Sequence, residues 1–167
     1  HSSDYAKLDL CRERTQIETN WATQEGVQVQ FMEQASILAL QDRLAVQPYH
    51  VLHYMGHGKF DPVNGEGALV MGEGARDAGV TGGTLGMLLN DQPSLRLVVL
   101  NACSSAVTPD VDPEAPTAGH DPFAGVASAL VMAGVSAVVA MQSPIGDGAA
   151  IAFSEAFYGL LRKGYPV

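Results

Sequence analysis

Two residues at matching places in two apolar runs could do chemistry together. His57 lies at the end of Tyr49-His-Val-Leu-His-Tyr-Met-Gly-His-Gly58, and Cys103 follows Leu97-Val-Val-Leu-Asn-Ala. A thiol is only a few per cent thiolate near neutral pH, so nucleophilic work needs a neighbouring base or a positive field. Ser104 to Asp121 reads as loop, with no helix starting directly behind Cys103, which leaves the His57 imidazole as the candidate base. A thiolate beside an imidazole attacks carbonyl carbon, so the pair points to a cysteine hydrolase. Gly58 lets a carbonyl substrate approach a backbone N–H, and the N–H of Cys103 is a second candidate donor to an oxyanion.

The elements around these residues must bring them to one place. Tyr49 to Met55 and Leu95 to Leu100 are nearly continuous apolar runs, as expected of strands covered on both sides. Helical spacing at Ile37, Leu40 and Leu44 predicts a crossover helix over about Glu33 to Ala45. Val27 to Phe31 alternates apolar and polar residues and predicts a half-buried strand. Between Gly56 and Gly83, many glycines and the run Ala68 to Met71 predict a hairpin or excursion, closed by a short helix from about Thr84 to Asn90. Asp121 as N-cap and Pro122 as first helical residue open a helix with Phe123, Val126, Ala127, Leu130 and Val131 on one stripe. A strand over Val135 to Met141 follows. A last helix starts near Asp147 and carries Phe153, Ala156, Phe157 and Leu160 on one stripe. It ends on Arg162, Lys163 and Gly164, suited to a helix C-terminus. A further helix near Asp9 to Trp21 sets Leu10, Ile17 and Trp21 on one face.

Strand and helix alternate, which predicts an α/β domain with a mostly parallel sheet. In such sheets, chemistry gathers at the carboxyl ends of the strands. Both His57 and Cys103 fall there.

Plainer assignments exist for each residue taken singly. Free cysteine is among the most buried residue types, so Cys103 also suits a small apolar plug, and His57 suits a turn. A zinc site over His50, His53 and His57 is not expected. Strand alternation sets His50 on the face opposite His53, and Cys103 would be the sole thiolate. The glycines at 72, 74, 82 and 83 match neither the Walker pattern nor a dinucleotide fingerprint, so no cofactor is expected.

At 167 residues and 47% hydrophobic content the chain suits one globular domain. Nine basic against 18 acidic residues, a formal charge of −9, argue against nucleic acid as a partner and favour basic peptides. Two cysteines, Cys11 and Cys103, are too few for a disulfide framework, and a working thiolate suits the reducing cytoplasm. Gly134 interrupts the uncharged stretch Gly125 to Met141, so no membrane span is expected.

The segments Tyr49 to Gly58 and Leu97-Val-Val-Leu-Asn-Ala-Cys-Ser-Ser105 resemble the CHAT domain, as do Phe123 to Gln142 and Asp147 to Leu161. This resemblance implies a caspase-like three-layer α/β/α sandwich and cysteine endopeptidase activity, with Cys103 as nucleophile and His57 as general acid/base. It implies that Gly58 and Cys103 supply the oxyanion donors and that the substrate is a protein or peptide. Members are often attached to tetratricopeptide repeats or another regulatory domain in bacterial signalling or defence proteins. A catalytically silent caspase-like interaction module is the alternative. Against the family pattern, residues 1–167 read as one domain in fragment form, without an N-terminal strand and a C-terminal helix. Asp110, Asp112 and Glu114 lie in the long segment after Cys103 and are candidates for holding a basic substrate residue.

Overall fold

The computed structural model describes residues 10–22, 24–33, 35–61, 66–72, 78–103, 122–141 and 147–167. The chain forms two compact units. The first carries five strands, β1 (Val51–Asp61), β2 (Glu66–Met71), β3 (Ala78–Thr81), β4 (Leu97–Cys103) and β5 (Ala137–Ala140), among the described residues. It also holds three helices, α2 (Ile37–Val46), α3 (Gly82–Asn90) and α4 (Pro122–Met132). The second unit contains α1 (Leu10–Trp21) and α5 (Asp147–Arg162).

The strands form one mixed sheet in the order β3-β2-β1-β4-β5. Its β1-β4-β5 part is parallel, while β2 and β3 add antiparallel. The glycine-rich excursion therefore extends the sheet on the far side of β1 from β4. Val98, Val99 and Leu100 are all 0% exposed, so both faces of β4 are covered, as its uninterrupted apolarity requires. Fully burying such side chains contributes roughly 1.5–3 kcal/mol each.

Helix α4 connects β4 to β5 and packs across β2, β1 and β5. It buries Val126 and Leu130, as expected, but Val131 is 56% exposed and does not belong to the buried stripe. Helix α3 lies so close to α4 that a Cβ on Gly82 would stand 2.7 Å from the Val126 Cα and 2.9 Å from the Ala129 Cβ. The Thr81 side chain accepts from the Thr84 N–H, which starts α3 at Gly82, two residues before the sequence pattern suggests. Ser36 does the same for α2 by accepting from the Ala39 N–H at 3.1 Å. That helix therefore begins at Ile37 rather than near Glu33, with Leu40 and Leu44 buried.

In the second unit α1 packs on α5. The expected stripe Phe153, Ala156, Phe157 and Leu160 is corrected: the buried positions of α5 are Ile151, Ser154 and Tyr158, while Ala156 and Leu160 are exposed. A buried polar pair explains the rotation. The Ser154 hydroxyl donates to Glu13 Oε1 at 2.8 Å, which turns a polar position of each helix inward. Trp21 meets the Tyr158 ring edge-on at 5.8 Å between centroids.

Val27 to Phe31 is not a strand but irregular chain. Alternation alone does not make a strand without a partner, and no strand among the described residues pairs with it. The Arg14 guanidinium holds this segment instead, 4.4 Å above the Phe31 ring and 2.9 Å from Glu33 Oε1.

Candidate active site

His57 lies inside a strand rather than at its end, and Cys103 is the last residue of its own. Strand β1 runs eleven residues, through Gly56, His57 and Gly58 to Asp61. Its parallel ladder with β4 starts at Val51↔Leu97 and ends at His57↔Cys103. From Gly58↔Leu69 to Asp61↔Glu66 the same strand is instead paired antiparallel with β2. The β4 ladder on one edge of β1 thus ends, and the β2 ladder on its other edge begins, between His57 and Gly58, at the carboxyl end of β4. The last pair of the β4 ladder therefore lies at this division, on the carboxyl edge where ligands of open α/β sheets characteristically bind.

The backbone at this division is held by Tyr54. Its hydroxyl lies 2.7 Å from the His57 carbonyl oxygen and 2.7 Å from that of Val70. Extending the β1–β2 register by one residue would set His57 opposite Val70, so the phenol links the two strands just past the end of their ladder. The ring reaches there by lying over Gly56, where a Cβ would come within 2.5 Å of the hydroxyl. Residues two apart on a strand share a face, so only glycine at 56 leaves room for the ring. Sequence reasoning gave Tyr54 no part in the site. The available signal was the Tyr-X-Gly spacing inside a strand.

His57 is half-buried and Gly58 is buried. His53 and His57 fall on one face by strand alternation, and His50 anchors the start of the β4 ladder, its carbonyl accepting from the Arg96 and Leu97 N–H groups. Among the described residues, no three His, Cys, Asp or Glu side chains cluster in a way that could hold a metal ion. Cys11 is an exposed free thiol on α1. The structure therefore brings together His57, Gly58 and Cys103 of the expected residues. Asp110, Asp112 and Glu114 lie outside the described residues, as does the expected N-cap Asp121. No helix among the described residues is long and apolar enough to cross a membrane.

Comparison with known proteins gives one match. Neither a curated protein nor a solved structure matches the chain. The family model described as the CHAT domain matches residues 5–167, taking in both strands of the His57–Cys103 ladder. With nearly the whole chain matched, the protein belongs to the CHAT domain family, a family related to caspase-like peptidases.

Proposed function

We propose that this protein is a cysteine endopeptidase that cleaves peptide bonds through a Cys103–His57 dyad. The observation that carries the reading is the register pair His57↔Cys103 at the end of the parallel ladder. Partners in neighbouring strands are about 4.8 Å apart in the backbone, a spacing over which a thiol and an imidazole can share a proton. Family membership also supports caspase-like α/β/α layering and a single domain.

In the reaction, His57 takes the proton of the Cys103 thiol, and the thiolate attacks the peptide carbonyl carbon. The backbone N–H groups of Gly58 and Cys103 stabilise the oxyanion. As the C–N bond breaks, the imidazolium returns its proton to the leaving amine, and a thioester remains on Cys103. Water then attacks the thioester with His57 as base, releasing the carboxylic acid product and the thiol. General base assistance of this kind is worth about 10²–10⁴-fold. Such a thiol suits a reducing, cytoplasmic setting and the control of an attached regulatory domain.

Asp110, Asp112 and Glu114 follow the nucleophile in the chain and favour a basic residue in the substrate, in keeping with the net charge of −9. A peptide library with mass-spectrometric identification of products tests both points. Cleavage after basic residues by the wild type, lost in Cys103→Ala, is the expected result. Cleavage that survives in Cys103→Ala rejects Cys103 as the nucleophile, and no cleavage with no thiol labelling at all rejects the endopeptidase in favour of a silent interaction module. Preference for acidic residues rejects the role of the three acids.

A further inference from the structure

His57 is the last residue of β1 in its ladder with β4, and we propose that Tyr54 is the positioning residue for the His57 base. The proposal rests on the dyad reading above and adds to it a residue that acts through the main chain of His57. Where a ladder on one edge of a strand stops, the carbonyl groups of that edge that are left without a partner strand need other donors. Past the ladder's end at Gly58↔Leu69, His57 and Val70 are the next residues of the two strands. The Tyr54 hydroxyl stands 2.7 Å from each of their carbonyl oxygens. One hydrogen serves two acceptors, so the phenol bridges the strands while donating to either carbonyl.

Three features make this a built arrangement rather than a chance contact. The ring is laid along its own strand, over a residue whose missing side chain makes the room. The hydroxyl contacts the main chain of His57 itself, so it constrains the Cα from which the imidazole projects. The second contact, to Val70, ties that point to β2, a strand whose Ala68 and Leu69 are buried. Base geometry is exacting, since a misplacement of ~1 Å can cost ~100-fold in rate. A phenol fixed between two strands is well suited to prevent it.

The test measures the rate at which iodoacetamide alkylates Cys103, in a Cys11→Ser background that removes the exposed thiol. Wild type, Tyr54→Phe and His57→Ala are compared at pH 7 by intact-protein mass spectrometry. Tyr54→Phe is expected to slow alkylation about tenfold, against ~100-fold for His57→Ala. The direction separates positioning from mere stability, because loosening the fold exposes the thiol and speeds its alkylation. The ¹⁵N signals of the His57 imidazole are expected to shift in Tyr54→Phe. Alkylation at or above the wild-type rate in Tyr54→Phe overturns the proposal, while slow alkylation of His57→Ala still upholds the dyad. A wild-type rate in His57→Ala defeats the dyad and the positioning role with it. If Tyr54→Phe does not fold, Gly56→Ala takes its place. Its Cβ displaces the ring, so the same slowing is expected, and an unchanged rate overturns the proposal.

Discussion

His57 and Cys103 are the last register partners of the parallel ladder between β1 and β4, and one residue later β1 is paired with β2 instead. The two positions therefore stand where one ladder of β1 ends and the ladder on its other edge begins. If the imidazole acts as base there, His57→Gln, which keeps a polar side chain but cannot take up a proton, should cut peptide turnover by ~100-fold or more. Steady-state cleavage of a peptide identified by library screening measures this. Turnover within threefold of wild type would assign the base elsewhere.

The close approach of α3 to α4 yields a second expectation. Gly82→Ala should destabilise the protein by ~1–3 kcal/mol, since its Cβ would press on the Val126 backbone. Gly125→Ala is the contrast, because nothing lies within 4 Å of a Cβ at that position of α4. It should stabilise by ~0.5–1 kcal/mol through helix propensity. Urea unfolding of the two variants gives both signs, and equal effects would refute the packing argument.

Much of this arrangement is legible in the sequence, for physical reasons. Leu97 to Leu100 is apolar at every position, which only a strand covered on both faces tolerates, and Pro122 and Gly134 bracket α4 as helix rules require. The two strands that carry His57 and Cys103 followed from that alternation, but β1 runs on to Asp61, so only Cys103 stands at a strand end. What stayed hidden depends on partners distant in the chain. Val27 to Phe31 has strand periodicity but pairs with no strand among the described residues. The inward turn of Ser154 is set by Glu13, 141 positions away, so a pattern counting only apolar residues misplaces the buried face of α5. Tyr54 escaped notice because a tyrosine in an apolar strand reads as core until the carbonyl groups beside its hydroxyl are seen.

The buried Glu13–Ser154 pair carries its own consequence. Ser154 is 0% exposed, so Ser154→Ala removes a donor from an enclosed carboxyl group and should cost ~1–3 kcal/mol. A double-mutant cycle with Glu13→Gln should show coupling of at least ~0.5 kcal/mol between the two positions. Additive effects would mean that the bond contributes nothing.

Burial, aided by the Glu13 charge, raises the Tyr158 phenol above its ordinary value of 10.0. The fold therefore favours the protonated phenol more than the unfolded chain does. The stability this gives is complete below about pH 10 and is lost as pH rises beyond it. Tyr158→Phe should flatten the fall in stability between about pH 9 and about pH 11, measured by urea unfolding. An unchanged slope would place the alkaline sensitivity elsewhere.

The central claim, that His57 activates Cys103, is tested most directly with a peptidyl acyloxymethyl ketone, which alkylates an activated active-site thiolate and spares ordinary thiols. In the Cys11→Ser background the expected result is one adduct, located on Cys103 by peptide mapping, absent in Cys103→Ala and slowed ~100-fold in His57→Ala. Labelling of Cys103 at the same rate with and without the imidazole would contradict the account.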